Sequence, residues 1–107
     1  MQIQVLNITR TKYENLGFYV FMEMQEGKTH VTVTVGPDHV NVCSHNASNK
    51  AWRGTGRRFV TADEAIAGYK TAAIKEMIRL AVQTKAETPI EAYEASSTKK
   101  THENGRC

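Results

Sequence analysis

The sequence predicts an α+β protein in which an antiparallel sheet of three to four strands is followed by one long amphipathic helix, packed on one face of that sheet. The first half of the chain alternates apolar and polar residues between turn signals, which is typical of strands. After Thr61 the apolar residues recur at three- and four-residue steps, which is typical of a helix. A chain of 107 residues is long enough for one domain with a modest core.

Four strands are predicted, over residues 2–9, 18–25, 29–35 and 39–44. The third is the clearest, because Val31, Val33 and Val35 alternate with polar residues. In the second strand, Tyr19 and Phe21 make the outer face half apolar, so we expect this strand to be central or covered on both sides. Short turns favour hairpins, so we predict that the second to fourth strands form a meander within a β-β-β-β-α order.

One helix is predicted over residues 62–83. Thr61 and Glu64 have the spacing of a capping box, in which the threonine caps the first turn and the glutamate reaches back to the N–H of the cap. Gly68 costs about 1 kcal/mol relative to alanine inside a helix, so it marks either a close approach or a tolerated residue. The predicted apolar stripe comprises Ala62, Ile66, Tyr69, Ala73, Met77 and Leu80.

The chain divides into a single predicted α+β domain over residues 1–85 and a flexible polar tail over residues 86–107. Thr88-Pro89 ends any helix, because proline lacks a backbone donor and restricts the residue before it. The residues that follow are small, polar and charged, with no apolar face to bury, so we expect them to be disordered.

Other classes of function lack a signature in this sequence. No run of about 18 apolar residues exists, and no signal peptide is recognisable, so we expect a cytoplasmic protein without a membrane association. Cys43 and Cys107 are too few for a disulfide framework and favour a reduced setting. Cys43, His39 and His45 do not match a zinc-ligand spacing, and no nucleophile or phosphate-binding motif occurs. We therefore expect no metal, no cofactor and no enzymatic activity.

The basic loop, defined as residues 50–58, concentrates the positive charge of a chain whose net charge is +3. It lies in a segment, residues 44–60, that contains no acid. Arginine and lysine bind phosphates, and an aromatic ring stacks on bases. The alternative is that Trp52 and Phe59 anchor a long connection on the core while the arginines are simply solvated. The candidate binding residues are Lys50, Trp52, Arg53, Arg57 and Arg58.

These residues predict a small non-enzymatic accessory protein that binds nucleic acid through the basic loop. Small size without a catalytic signature is typical of accessory proteins of bacteria, phages or mobile elements. The alternative is a protein-interaction module, namely an adaptor, an inhibitor or a homodimer, because arginine and tryptophan are enriched at interface hot spots. An acidic protein surface attracts the same arginines as a nucleic acid, so charge alone does not separate the two hypotheses.

Overall fold

The computed structural model describes residues 2–46 and 55–96. The strands of this part are β1 (Gln4–Tyr13), β2 (Gly17–Glu26), β3 (Thr29–Val35), β4 (Val40–Asn46), β5 (Thr55–Phe59) and β6 (Glu94–Ser96). The helices are α1 (Ala62–Ala67) and α2 (Ala72–Glu87), and a short 3-10 turn covers Ile90–Ala92. All six strands belong to one sheet, in the order β5-β4-β3-β2-β1-β6.

The α+β class is confirmed, but the sheet is larger than predicted and is mixed rather than antiparallel. β2, β3 and β4 form the predicted meander, and β1 and β5 extend it with antiparallel neighbours. β6 runs parallel to β1. The two strands missed by the sequence prediction, β5 and β6, are the two outermost strands of the sheet.

The turn between β1 and β2 contains two residues in the left-handed backbone conformation. The φ angle is 73° at Asn15 and 106° at Gly17, a region that glycine and asparagine adopt most readily. The N–H of Leu16 donates to the carbonyl of Tyr13 over 3.1 Å. Residues 15–17 therefore form a tight turn, and pairing with β2 extends β1 to Tyr13, beyond its predicted end at residue 9.

The hydrophobic core lies between the sheet and the two helices. Successive side chains of a strand point to opposite faces, so β2, β3 and β4 each contribute alternate residues. These residues are Val20, Met22, Met24, Val31, Val33, Val35, Val40 and Val42. The helices contribute Ala65, Ile74, Met77, Ile78 and Ala81. The strand residues follow the alternation in the sequence. Of the predicted helical stripe, Ala73 and Met77 are buried, and the neighbouring Ile74 and Ile78 are buried beside them.

The helix predicted over residues 62–83 is divided in two, because α1 ends at a cap on Gly68. In a continuous helix, the carbonyls of Ile66 and Gly68 accept from backbone N–H groups four residues later. Here Gly68 accepts from Arg57 Nη1 and Ile66 accepts from Lys75 Nζ, each over 2.8 Å. The Ile66 carbonyl also accepts over 3.4 Å from the N–H of Tyr69, only three residues later. Two cations thus meet the carboxyl end of α1, where the helix dipole favours positive charge.

The start of α1 is capped as predicted. The hydroxyl of Thr61 accepts from the backbone N–H of Glu64 over 3.1 Å. The Glu64 carboxylate accepts over 3.4 Å from the N–H of Val60, one residue before the cap to which it was expected to return. Phe59 is partly buried against the core, whereas Val60 is largely exposed, so Phe59 supplies the apolar contact ahead of this helix.

Residues 86–96 lie against the sheet in the described part of the chain. α2 continues to Glu87, and β6 then pairs with the end of β1. Between them Tyr93 meets the ring of Phe18 edge-on, with 4.8 Å between ring centroids. The boundary predicted after residue 85 therefore falls inside α2, and residues 97–107 lie outside the described ranges.

One further finding concerns the expected surroundings of the protein. Within residues 2–46 and 55–96, no helix combines the length and the apolarity that a membrane crossing requires. This finding does not define a compartment, so the cytoplasmic location stays a prediction.

Candidate binding edge

The second half of the basic loop is a strand. Residues 55–59 form β5 and pair with β4, with Phe59 opposite Val40. The sequence TGRRF shows no clear alternation and predicts a loop, but β4 satisfies the backbone groups of β5 on one side and Phe59 packs against the core. In the part of the chain that the structure describes, no strand pairs with the other side of β5, so β5 is an edge of the sheet.

The structure places two of the five candidate binding residues. Arg57 and Arg58 lie in β5, and both side chains are exposed. Arg57 is opposite Val42 and Arg58 is opposite Asn41. Because successive side chains of a strand alternate, Arg57 lies on the helix-covered face of the sheet and Arg58 on the other. The remaining candidates lie outside the described residues: Lys50, Trp52 and Arg53.

Arg57 is anchored at the break between α1 and α2. Its guanidinium donates to the carbonyl of Gly68, and its central carbon lies 5.0 Å from the ring centroid of Phe59 and 4.9 Å from that of Tyr69. Such distances are typical of cation–π contacts. Arginine carries five N–H donors and Arg57 stays exposed, so the anchoring fixes this side chain and still leaves donors for a ligand.

Gly68 permits this arrangement because it lacks a side chain. A Cβ atom at Gly68 would lie 2.8 Å from Phe59 Cε1 and 3.3 Å from Arg57 Nη2. The first of these distances is shorter than Cβ contacts in real proteins, so either the ring or the helix would have to move. Of the two explanations that the sequence left open for Gly68, the close approach is therefore the one found.

Tyr69 contributes a buried hydroxyl to the same junction. By distance and angle its oxygen has no hydrogen-bond partner in the described ranges, and the central carbon of the Arg57 guanidinium lies 4.9 Å from the ring centroid. Burial raises the pKa of Tyr69 above its usual 10.0, and the positive charge of Arg57 opposes this with a smaller effect. The junction is thus a packed contact, in which Arg57 and the two rings hold β5 against the helices.

Arg58 lies on the opposite face of the sheet, where its charge acts on an acid–histidine pair. His39 Nδ1 lies 2.8 Å from Asp38 Oδ1, with His39 buried and Asp38 exposed. This hydrogen bond holds the pKa of Asp38 below its usual 3.8, and the charges of His39 and Arg58 act in the same direction. Arg58 therefore favours the ionised carboxylate beside it, without the anchoring that fixes Arg57.

The sheet face opposite the helices carries a second acid–histidine pair. His30 Nε2 lies 2.7 Å from Glu23 Oε2, and His30 is buried. His30 lies at the start of β3 and His39 lies beyond its end, so the two pairs are separated along the strand. Among the described residues, no group of three or more histidine, cysteine, aspartate or glutamate side chains is placed to hold a metal ion.

Comparison with known proteins supplies no family for this chain. No protein-family model, no curated protein and no solved structure matches it. The function is therefore argued from the geometry of β5 and its surroundings.

The helix break was missed because the apolar steps continue across it, from Ile66 through Tyr69 to Ala73. Gly68 was the one signal for it in the sequence, and the strand character of β5 had no comparable signal. The alternation of Arg57 and Arg58 follows from strand geometry once β5 is known. The anchoring of Arg57 depends on Gly68 and Tyr69, which are distant from it in sequence.

Proposed function

We propose that this chain is a non-enzymatic interaction module that binds an extended acidic segment of another protein along β5. The observation that carries the proposal is the pair of consecutive exposed arginines, Arg57 and Arg58, on a strand whose outer side has no partner in the described part of the chain. An incoming strand adds backbone hydrogen bonds to such an edge. Adjacent acids in that strand project to alternate faces, as Arg57 and Arg58 do.

Nucleic-acid binding through the basic loop is the competing hypothesis. A phosphate backbone is held best by cations that converge on one surface. Arg57 and Arg58 diverge to opposite faces, and Arg57 already donates to the Gly68 carbonyl. This divergence favours an added strand over a phosphate backbone. Lys50, Trp52 and Arg53 lie outside the described residues and are compatible with both hypotheses.

The proposal is tested with a labelled peptide of about six residues, the length of a typical strand, with two adjacent glutamates among threonine and valine. Fluorescence anisotropy measures its binding to the full chain at low salt, beside a single-stranded DNA and an RNA. We expect the peptide to bind and Arg58→Glu to weaken it about tenfold or more, because the charge reversal opposes a carboxylate across the strand pair. Arg79→Glu is the matched control, since Arg79 is an exposed cation on α2.

A second peptide separates strand addition from simple charge attraction. It has the same sequence but carries N-methyl groups on alternate residues, which remove backbone donors and leave the charge unchanged. Strand addition predicts that this peptide loses binding. Equal binding of both peptides contradicts the proposal. Tighter binding of an oligonucleotide than of the peptide, weakened by Arg58→Glu, establishes the nucleic-acid hypothesis in its place.

A further inference from the structure

We infer that two copies of this chain associate through the outer side of β1, a surface separate from β5. β6 pairs with β1 only from Thr11 to Tyr13. In the part of the chain that the structure describes, residues Gln4–Arg10 have β2 on one side and no strand on the other. This free stretch is longer than the whole of β5, which has 5 residues.

The beginning of β1 presents apolar side chains to solvent. Val5 and Leu6 each leave 46% of their surface exposed. The pairing with β2 shifts register between Val5 and Asn7, which marks a β-bulge. Bulges bend a strand and redirect its side chains. Exposed apolar residues on an unpaired strand edge mark a site at which another strand adds.

The low charge and the exposed apolar residues of β1 favour a second copy of this chain as its partner. Arg10 is the one charged residue among positions 4–10, and its Nε donates to the hydroxyl of Thr88 over 3.2 Å. If a two-fold axis passes through Asn7, an antiparallel pair sets Asn7 opposite itself and Arg10 opposite Gln4. Val5 and Ile8 pair with buried methionines of β2, so both lie on the helix-covered face, and Val5 of one copy comes next to Ile8 of the other. No like charges oppose each other in this register.

The same operation on β5 is unfavourable. A two-fold axis at the middle of β5 sets Arg57 of one copy opposite Arg57 of the other, and like charges directly opposite destabilise a strand pair. The two free strand sides are therefore suited to different partners. β5 suits an acidic strand, whereas β1 suits a second copy of this chain.

The register is tested with a cysteine placed on the proposed axis. In Asn7→Cys, the two Cα atoms of residue 7 lie about 4.5–5.5 Å apart, within the range that a disulfide spans. Thr9→Cys is the matched control, because the two Cα atoms of residue 9 are about 14 Å apart in the same register. After mild oxidation, we expect non-reducing electrophoresis to show several-fold more covalent dimer for Asn7→Cys than for Thr9→Cys or the parent chain.

Association without cysteines is tested by light scattering after size exclusion, over a range of concentrations. A single strand pair buries less than a standard interface, so we expect a dimer that dissociates on dilution. Leu6→Lys shifts the chain to monomer, while Leu16→Lys, at an equally exposed leucine in the β1–β2 turn, leaves the dimer unchanged. Both leucines are exposed in the single chain, so thermal unfolding should be nearly unaffected by either change.

A parent chain that is monomeric at every concentration overturns the inference. So does equal cross-linking at positions 7 and 9, since that indicates random collision, and so does a dimer that Leu6→Lys leaves intact. Binding of the acidic peptide at β5 is expected to persist in Leu6→Lys. Loss of dimerisation is thereby distinguished from failure of the proposed function.

Discussion

At the scale of single residues, Gly68 governs how β5 meets the helices. In a continuous helix, replacing glycine by alanine raises the free energy of unfolding by about 1 kcal/mol. In this fold, a Cβ at Gly68 lies 2.8 Å from Phe59 Cε1, so we expect Gly68→Ala to lower the free energy of unfolding by about 1–3 kcal/mol, the usual cost of overpacking. Urea unfolding followed by circular dichroism measures the change.

Two further variants test whether the effect of Gly68→Ala arises from the contact with Phe59. Ala67→Ser, at the exposed preceding position, should change stability by less than about 0.5 kcal/mol. Phe59→Leu combined with Gly68→Ala should cost less than the sum of the single changes, because the smaller side chain relieves the contact. A more stable Gly68→Ala protein contradicts the close approach.

The contact between Asp38 and His39 makes stability depend on pH in acid. The pKa of Asp38 is held below 3.8 in the folded chain, mainly by the hydrogen bond from His39, so the unfolded chain binds this proton more readily. The stabilisation is present above the unfolded pKa and is lost as the pH falls through the folded pKa. We expect Asp38→Asn to lower the free energy of unfolding at neutral pH, and we expect the difference from the parent to shrink as the pH falls through the folded pKa.

Urea titrations at neutral pH and in acid measure the two differences. Glu14→Gln, an exposed acid in the β1–β2 turn, serves as the control for the loss of one negative charge. An Asp38→Asn difference of the same size at both pH values contradicts the role given to the carboxylate.

At the scale of elements, the junction between α1 and α2 depends on side-chain cations. Lys75 Nζ donates to the carbonyl of Ile66 from a half-buried position. Lys75→Met keeps most of the aliphatic stem and removes the charged donor, so we expect a loss of about 1.5–3 kcal/mol, the usual worth of a hydrogen bond to a charged group. Thermal and urea unfolding measure it.

Arg79→Met is the matched control for Lys75→Met. Arg79 lies one turn later on α2 and contacts Glu76 over 3.2 Å, with both side chains largely exposed. Such a pair is worth about 0.3–0.5 kcal/mol. If the two methionine variants are equally stable, the hydrogen bond from Lys75 to the Ile66 carbonyl contributes no more to stability than the exposed Arg79–Glu76 pair does.

The predictable elements are those whose local pattern agrees with their tertiary contacts. In β3, Val31, Val33 and Val35 alternate in the sequence and are all buried. The sequence TGRRF of β5 lacks such a pattern, because an edge strand takes its conformation from pairing with β4. The sequence pattern does not predict the helix break, because the side chains that donate to its carbonyls, Arg57 and Lys75, reach them through tertiary contacts that periodicity does not record.

At the scale of the whole molecule, the protection of backbone amides should follow the strand order. β3 lies between β2 and β4, whereas β6 is a three-residue outer strand. We expect the amide of Val33 to exchange only through global unfolding and the amide of Ala95 to exchange orders of magnitude faster, through local opening. Native-state hydrogen exchange measures both. Similar protection at the two residues contradicts a loosely held β6.

The two free strand sides lie at different margins of one sheet. β5 bounds the sheet on one side, and β1 with β6 bounds it on the other. A dimer joined at β1 therefore carries its two β5 strands at its far ends. Such a dimer presents two binding strands to a partner with repeated acidic segments, and tethering two sites raises the apparent affinity without new contacts.

The late pairing of β6 has a consequence for biosynthesis. Thr11 pairs with Glu94, which lies 83 positions later in the chain. Synthesis at about 5–20 residues per second needs roughly 4–17 s to cover that interval. Until β6 has been made, the side of β1 opposite β2 lacks its described neighbour along the whole strand. A chain still short of β6 therefore offers a longer free strand than the finished chain does.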